Sequence, residues 1–509
     1  MNLQTAIIIS ILLPTSLFIV ACAPESGNVA SGSGGTGGPV SSGGSASGGN
    51  GTGGTIGTTG GATTGGATAA GGASIGTGGT APGGSGSGSG GRGVGGAIAG
   101  TGGFVMGGSG VGSGGNGGGL VPTTGTASLE DEGADCVVAA LPDVGSLPAI
   151  AKLPDPFKKL DGTRMSTKAE WRCRRQEIRK LAETFAYGTK PAKPQSVTGS
   201  VTSTKITINV TDNGKSTTFS ADVKLPTGGS APYPAIVVYG GASVPPPLDS
   251  TVINSEGIAI INYDPYDVGK ETGARSPKSG AFYSIAGANS TTGLLVAWGW
   301  GVSRIIDVIA GSDGKILKAD AVGVTGCSRF GKGSLVAGVF DQRIALTMPI
   351  ESGSAGVPIW RGIPGEGAQS LSSAYSEQPW FGDAFTSFTG SPTKAPIDTH
   401  ESLAMIAPRG LFIMDNPHIA NLGPKSAHVA ALAGAEAYKA LGAGDNITYH
   451  SDVQNGTHCS VRPEWVTPLK ENIQKFLKKT GNAPGLIKAH ASATGKLTDW
   501  SDWTTPPLN

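Results

Sequence analysis

The sequence predicts an α/β fold in which helices cover both faces of a mostly parallel sheet. Two observations predict it. From about residue 235 onward, short apolar runs such as AIVVY and IALTMPI alternate with segments of helical length. This alternation is typical of a parallel sheet whose strands are buried on both faces. Ahead of it, two segments of alternating polar and apolar residues predict a hairpin, so the N-terminal part of the sheet is expected to be antiparallel.

Each element follows from its own pattern. A helical period covers residues 167–187, and the hairpin spans residues 201–210 and 217–225. Strands are expected at residues 235–239, 258–263, 321–325, 344–349, 410–414 and 447–451. Helices are expected at residues 292–309, 331–339, 427–441 and 464–478. Residues after about 481 show no strong pattern.

Composition divides the chain into four parts. Residues 26–126 consist mostly of Gly, Ser, Thr and Ala, a composition that cannot bury enough apolar surface to offset the entropy of ordering. The expected organisation is a signal segment at 1–21, a disordered tether at 22–127, a folded domain at 128–482 and a C-terminal tail at 483–509. A glycine-rich structural or adhesive segment is the alternative to a plain tether. With 37 Lys+Arg against 36 Asp+Glu, nothing favours a nucleic acid partner.

The N-terminus MNLQTAIIISILLPTSLFIVAC is an apolar segment that ends on a cysteine. It resembles a bacterial lipoprotein signal, which predicts lipidation of Cys22 and an exported protein at the outer membrane or cell surface, or released outside the cell. A soluble secretory signal and an uncleaved anchor are the alternatives. No later stretch is expected to reach the roughly 18 apolar residues of a membrane span.

Export favours disulfides over metal-binding or redox-active thiols. If Cys22 carries lipid, four cysteines remain: Cys136, Cys173, Cys327 and Cys459. Four cysteines allow three pairings, and their spacing does not choose among them. The chain contains no CxxC and no HExxH, so no metal site is indicated.

The stretch GVTGCSRFGKG places Ser328 between an apolar strand and a helix, flanked by Gly326 and Gly331. This arrangement indicates a nucleophile elbow, although the second glycine lies one position later than in G-x-S-x-G. A serine that merely closes a strand-to-helix turn is the alternative. A nucleophilic serine in this context predicts a three-layer sandwich of the α/β-hydrolase type.

A serine nucleophile needs a general base and a buried carboxylate that orients it. His458 lies in NGTHCSV, after the last expected strand, which is where such folds present their catalytic histidine. Two acids compete for the third role. Glu351 follows the strand after the elbow helix, and Asp415 ends the strand RGLFIMD at the more usual position for this fold. Topology alone favours Asp415.

Four separated motifs make the resemblance specific. GVTGCSRFGKG, ALTMPIESGSAGVPIW, IAPRGLFIMDNPH and NGTHCSV together resemble the glucuronoyl esterases of carbohydrate esterase family 15, closest to the fungal motif set, over most of residues 153–477. The resemblance implies Ser328, Glu351 and His458 as the catalytic triad, with Asp415 reduced to an auxiliary acid. It also implies a disulfide between Cys327 and Cys459.

The remaining roles rest on the same resemblance. Pairing of Cys327 with Cys459 leaves Cys136 with Cys173. Arg329 is expected to stabilise the oxyanion. The uronate hydroxyls are expected to bind Lys332, Gln369 and Glu377. Asn421 departs from the family, because the fungal members have a tryptophan there, which places that sugar contact in doubt.

The expected function is therefore hydrolysis of esters of 4-O-methyl-D-glucuronic acid, such as those that link glucuronoxylan to lignin, through a glucuronoyl-serine intermediate. The resemblance implies no metal and no organic cofactor. The expected partners are the ester substrate and, through Cys22 alone, a membrane; the folded domain is expected to be monomeric. The alternatives are an acetyl-xylan or other small carboxylic esterase with the same triad, and a surface polysaccharide-binding protein without turnover.

Overall fold

The computed structural model describes residues 129–241 and 247–509. The signal segment, Cys22 and the tether predicted for residues 22–127 lie outside the described residues. The strands are β1 Ser196–Val201, β2 Lys205–Asp212, β3 Lys215–Lys224, β4 Tyr233–Tyr239, β5 Ala259–Tyr263, β6 Leu317–Cys327, β7 Leu346–Ile350, β8 Gly410–Met414, β9 Ile447–His450 and β10 Ile487–Lys488. The α-helices are α1 Trp171–Ala182, α2 Ser250–Ser255, α3 Ala281–Ala286, α4 Leu294–Gly311, α5 Arg329–Phe340, α6 Leu371–Glu377, α7 Thr399–Ile406, α8 Pro424–Ala440 and α9 Val466–Asn472.

The described strands form one sheet of 10 strands in the order β1-β2-β3-β5-β4-β6-β7-β8-β9-β10. The pairs β1–β2, β2–β3 and β3–β5 are antiparallel, and the pairs from β5–β4 to β9–β10 are parallel. This confirms a mostly parallel sheet with an antiparallel N-terminal portion.

Two apolar cores lie on the two faces of the sheet. In β4, Val237 and Tyr239 belong to the larger core, whereas Ile236 and Val238 belong to the smaller one. This alternation follows from the two-residue period of a strand. Helices α1, α4, α5, α7 and α8 supply the larger core, and α2 and α9 supply the smaller one. The fold is thus the expected three-layer sandwich.

The sequence predicted no membrane span after the N-terminal segment. Among residues 129–241 and 247–509, however, helix α4 alone is long and apolar enough to cross a membrane by length and composition. It carries Arg304 and Asp307, which form an ion pair within the helix at 3.0 Å. It packs against α5 and the sheet, with 89% of its apolar window buried. Within this structure α4 is the central helix of the larger core.

The C-terminal tail predicted at 483–509 packs against the domain. Strand β10 pairs with β9, the indole of Trp503 donates to the Leu153 carbonyl at 3.1 Å, and Leu508 is buried. Its few apolar residues are spaced without a helical or strand period, so no pattern announces the packing. Strand β1, rich in Ser, Thr and Gly, was also missed because it is a half-exposed edge.

Candidate active site

The strained turn at Ser328 is the first feature of the site. Strand β6 ends at Cys327 and α5 begins at Arg329, so Ser328 alone turns the chain from strand to helix, with φ 59° and ψ −125°. A positive φ is sterically costly for a residue that carries a Cβ. The turn has the geometry of a nucleophile elbow, which presents the serine at the carboxyl end of the parallel strands.

Two glycines explain how this turn packs. A Cβ on Gly326 would lie 2.5 Å from the carbonyl oxygen of Phe330, and a Cβ on Gly331 would lie 2.5 Å from that of Ile350. Neither approach is open to a residue with a side chain. The second glycine stands at position 331 because this residue of α5 faces the end of β7.

Glu351 and His458 form a direct pair. Glu351 follows β7, and its fully buried carboxylate accepts at Oε2 from His458 Nδ1 at 2.6 Å and from the Cys459 backbone N–H at 2.7 Å. A carboxylate on Nδ1 fixes the tautomer in which Nδ1 carries the proton. His458 Nε2 is then unprotonated and able to accept a proton from a hydroxyl.

A disulfide joins the loop of the serine to the loop of the histidine. Cys327 and Cys459 are bonded across 132 residues of sequence, with their Cα atoms 5.7 Å apart. Ser328 follows one half-cystine and His458 precedes the other, so both lie at one point of the sheet edge. Cys136 is bonded to Cys173. Both pairings implied by the resemblance are therefore present.

In the described part of the chain, one cluster has the residue types of a metal site. Ligand atoms of Cys327, Glu351, His458 and Cys459 lie within 4.8 Å of one another. Both sulfurs, however, are consumed by the disulfide, and the carboxylate is bonded to the imidazole. The cluster is better explained as the Glu351–His458 proton-transfer pair beside the Cys327–Cys459 disulfide.

Asp415 lies near this pair, but the imidazole of His458 is hydrogen-bonded to Glu351 and not to Asp415. Its carboxylate accepts from the Asn416 backbone N–H at 2.9 Å. Burial raises the pKa of Asp415 to about 7, and the nearby Glu351 charge contributes to that rise. The geometry thus places Glu351 rather than Asp415 on His458, against what topology alone favours.

Two residues that the sequence did not single out hold Glu351 from its other side. The Asn416 amide donates to Glu351 Oε1 at 3.2 Å. The buried guanidinium of Arg462 lies 3.6 Å from the same oxygen and donates to the Thr457 carbonyl at 2.6 Å. Arg462 therefore supports the histidine loop while its charge balances the buried carboxylate.

Arg329 presents two groups to the site. Its backbone N–H, as the first of α5, has no carbonyl partner within the helix. Its guanidinium Nη1 donates to Glu271 Oε2 at 2.7 Å, and Nη2 lies 3.6 Å from Glu377 Oε1. Glu271 also accepts from the indole of Trp380 at 2.6 Å. Glu271 and Trp380 thus fix the guanidinium beside the elbow, although neither lies in a recognisable motif.

The three expected sugar-binding residues share one region next to Ser328. Lys332 donates to the Ser352 carbonyl at 2.6 Å, and its ammonium lies 5.0 Å from the centre of the Trp380 ring. Burial lowers the pKa of Lys332 to about 8. Gln369 donates to Glu377 Oε2 at 2.7 Å. These side chains offer paired donors and acceptors to a hydroxylated ligand.

Asn421 stands at the edge of this region. Its carbonyl oxygen accepts from the Gln369 backbone N–H at 3.1 Å, while its side chain is exposed. The position that is tryptophan in the fungal pattern is therefore adjacent to Gln369, and here it offers an amide instead of an aromatic face.

Comparison with known proteins matches this geometry to one family. Residues 208–442 match the family model described as glucuronyl esterase, fungi. The chain is 37% identical over 382 residues to a 4-O-methyl-glucuronoyl methylesterase of Hypocrea jecorina, covering 74% of this chain and 80% of that protein. It is 38% identical to the protein of the same name from Neurospora crassa, covering 71% and 90%.

A solved structure agrees with both relatives. The glucuronoyl esterase of Sporotrichum thermophile, a serine-to-alanine mutant crystallised with methyl 4-O-methyl-β-D-glucopyranuronate, superimposes with a TM-score of 0.67 at 34% identity. The match covers 74% of this chain and 100% of that one. On these matches, the chain belongs to the glucuronoyl esterases, carbohydrate esterase family 15.

Proposed function

We propose that this chain is a serine esterase that hydrolyses esters of 4-O-methyl-D-glucuronic acid. The observation that carries the proposal is the 2.6 Å bond between His458 Nδ1 and Glu351, clamped by a disulfide to the strained turn of Ser328. Relatives that cover most of the domain are named 4-O-methyl-glucuronoyl methylesterases. The names of the relatives support the 4-O-methyl-glucuronoyl acyl group, and the site geometry supports ester hydrolysis by a serine nucleophile.

The first half of the reaction is acyl transfer to the enzyme. Ser328 Oγ attacks the ester carbonyl carbon while His458 Nε2 takes the hydroxyl proton. The buried Glu351 carboxylate stabilises the imidazolium that forms. The tetrahedral intermediate then collapses, the C–O bond to the alcohol breaks, and the imidazolium protonates the departing oxygen. The product of this half is a glucuronoyl ester of Ser328 and a free alcohol.

The second half returns the enzyme to its starting state. Water attacks the acyl carbon and gives a proton to His458, and the imidazolium then returns that proton to Ser328 Oγ as the uronic acid leaves. The oxyanion of both tetrahedral intermediates faces the free backbone N–H of Arg329 at the start of α5, with its guanidinium nearby. Loss of one such donor typically lowers kcat by about a hundredfold to a thousandfold.

Specificity for a uronate comes from the polar region beside the elbow. Lys332, Gln369 and Glu377 supply donors and acceptors that pair with ring hydroxyls, and an analogue that lacks those hydroxyls leaves them unpaired at a cost of about 1–3 kcal/mol each. Lys332 is a donor in both of its protonation states, but its cationic form is lost above pH of about 8. KM for uronate esters is therefore expected to rise above that pH.

The substrate class fits an exported protein. The two disulfides of the domain are typical of an oxidising compartment. The finer proposal is that Cys22 is lipidated and that the 22–127 tether holds a monomeric domain away from an outer membrane or cell surface, with the natural ester lying in a lignin–glucuronoxylan link. Substitution Cys22→Ala should move the protein from membrane to soluble fractions with its kcat unchanged.

The test of function compares acyl groups. Wild-type protein and Ser328→Ala are assayed for release of free acid from benzyl and methyl 4-O-methyl-D-glucuronates, beside p-nitrophenyl acetate. Uronate turnover that depends on Ser328 supports the proposal. Turnover of acetate alone would replace it with an acetyl or other small carboxylic esterase. Absence of turnover on all three esters would leave a polysaccharide-binding protein.

A further inference from the structure

A buried carboxylate outside the triad lies behind Arg329. Glu271 belongs to the loop that joins β5 to α3, and only 7% of its side chain is exposed. Its Oε2 accepts from Arg329 Nη1 at 2.7 Å and from the Tyr266 hydroxyl at 3.0 Å. Its Oε1 accepts from the Trp380 indole at 2.6 Å. Three donors therefore hold this one carboxylate in place.

Arg329 lies between two carboxylates that bind it unequally. Glu377 Oε1 is 3.6 Å from Arg329 Nη2, too far for a hydrogen bond, and both side chains are 39% exposed. An exposed ion pair of this kind contributes little, whereas the buried, charge-assisted hydrogen bond to Glu271 is strong. Nη1 is therefore the fixed end of the guanidinium, and Nη2 is the end that can change partner.

Glu377 also faces the region proposed to bind the uronate. Its Oε2 accepts from the Gln369 amide at 2.7 Å, and both residues are proposed contacts of the ring hydroxyls. A hydroxyl that donates to Glu377 occupies a lone pair of the carboxylate and disperses its charge. Binding of the uronate therefore weakens the attraction between Glu377 and Arg329 Nη2.

The oxyanion needs the end of the guanidinium that Glu377 attracts. Arg329 directly follows Ser328 and is the first residue of α5, so its side chain begins beside the nucleophile. A guanidinium shared by two carboxylates has little charge left for a third anion. One that is bonded to Glu271 alone can donate from Nη2 to the oxyanion. Because that bond forms in the transition state, it raises kcat.

We propose that Glu271 is a positioning residue that anchors Nη1 of Arg329, so that Nη2 passes from Glu377 to the oxyanion when the uronate hydroxyls occupy Glu377. The inference rests on the proposed function, since it takes Ser328 as the nucleophile and the uronate as the acyl group. It adds that the ring hydroxyls raise kcat besides lowering KM. Acyl groups without those hydroxyls are then turned over slowly even when they are bound.

The first experiment tests the anchor. The full chain and the variants Glu271→Gln, Arg329→Met and the two combined are assayed on benzyl 4-O-methyl-D-glucuronate. Glu271→Gln keeps the shape of the side chain and an oxygen for the indole, but it removes the charge that holds Nη1. The matched control is Glu256→Gln, which removes a buried carboxylate paired with Lys478 at 2.7 Å, next to α2.

Glu271→Gln should lower kcat by about a hundredfold, the loss typical of a misplaced catalytic group, with KM within about threefold of wild type. In the Arg329→Met background the same substitution should change kcat by less than about threefold, because Glu271 acts through Arg329. Glu256→Gln should match wild type. An unchanged kcat, a change in KM alone, or equal losses in both backgrounds would overturn the anchor.

The second experiment compares two acyl groups on one alcohol. Benzyl tetrahydropyran-2-carboxylate has the ring and the ester of the uronate substrate but no hydroxyls. Glu377→Gln removes the charge that competes for Nη2, so kcat for this ester should rise by about threefold to tenfold, the range of one hydrogen bond gained. The gain should be absent when Glu271→Gln is also present. A kcat that stays the same or falls in Glu377→Gln would overturn the transfer of Nη2.

A measurement that needs no turnover separates this inference from the proposed function. The rate at which an alkyl fluorophosphonate, which carries no hydroxyls, modifies Ser328 is followed by mass spectrometry in the same variants. Slower modification in Glu271→Gln and faster modification in Glu377→Gln would support the inference even if no uronate ester is cleaved. Cleavage of uronate esters with both rates unchanged would reject the inference and leave the esterase intact.

Discussion

At the scale of single residues, strain is concentrated where the chemistry is. Of the six non-glycine residues with positive φ in the described chain, three are Ser328, Glu351 and Cys459, with φ of 59°, 44° and 59°. Such conformations persist only where surrounding structure enforces them. Here the enforcing contacts are the disulfide and the three bonds made by the Glu351 carboxylate.

The assignment of the catalytic acid can be tested by two matched substitutions. Glu351→Gln keeps the shape of the side chain but removes the charge that stabilises the imidazolium, so kcat should fall by roughly a thousandfold to ten-thousandfold. Asp415→Asn makes the same change on a carboxylate that does not contact His458, and kcat should change by less than about threefold. Steady-state kinetics on the benzyl uronate measures both. Equal or greater damage from Asp415→Asn would transfer the role to Asp415.

Asp415 should also give stability a distinctive dependence on pH. Its pKa in the folded protein, about 7, lies above the ordinary value of about 3.9 in the unfolded chain, so the folded state binds the extra proton between those values. Stability from this group is therefore full below pH of about 4 and is lost as pH rises through 7.

The variant Asp415→Asn removes this titration and should narrow the difference in Tm between pH 5 and pH 8. Thermal unfolding of wild type and the variant at both pH values checks it. A variant whose Tm falls between the two pH values as steeply as that of wild type would show that Asp415 is ionised throughout.

Among the structural elements, the two disulfides have different roles. The Cys327–Cys459 bond joins two catalytic loops across 132 residues, while Cys136–Cys173 ties the first described residues to α1 across 37 residues. Correct positioning of base and nucleophile can raise the reaction rate by orders of magnitude. A disulfide far from the site acts, in the chain-entropy model, by lowering the entropy of the unfolded chain.

Removing each disulfide should separate rate from stability. Cys136→Ser with Cys173→Ser should cost about 4 kcal/mol of unfolding free energy on the chain-entropy model, with kcat unchanged. Cys327→Ser with Cys459→Ser should lower kcat by at least about tenfold at temperatures where the protein remains folded. Denaturant unfolding and kinetics on the same samples check both. A loss of rate proportional to the loss of stability in both variants would contradict the positional role.

The sequence predicted the elements whose pattern is set by burial on both faces, such as β4, β6 and α4. It missed β1, an edge strand with few apolar residues, and β10, which is two residues long and forms only because β9 offers an edge. In the site, Ser328 and His458 follow from local motif and chain order. Glu351 follows only from the family resemblance, because both acids end parallel strands, and only the three-dimensional register decides which one reaches the imidazole.

On the scale of the whole molecule, the C-terminal segment completes the core of the domain. The Trp503 indole is bonded to the Leu153 carbonyl. In addition, the backbone N–H of Lys168, just before α1, donates to the Asn509 carbonyl at 3.1 Å. The segment lacks regular structure, but its contacts are with the domain rather than with solvent.

Truncation after residue 482 should therefore destabilise the protein instead of trimming a loose end. Exposing the apolar surface that Trp500, Trp503 and Leu508 cover is expected to cost several kcal/mol at about 25 cal/mol per Å², and Tm should fall by roughly 10 °C or more. Thermal unfolding of the full and truncated chains measures it. A truncated chain with unchanged Tm would restore the segment to a separate tail.

Trapping the acyl-enzyme tests directly whether Ser328 is the nucleophile. The full chain is mixed with a uronate ester, quenched in acid within the first turnovers, digested, and examined by mass spectrometry, with Ser328→Ala treated in parallel. A 4-O-methyl-glucuronoyl group is expected on the peptide that carries Ser328, and none is expected in the variant. Turnover with that peptide unmodified, or with the acyl group on another residue, would contradict it.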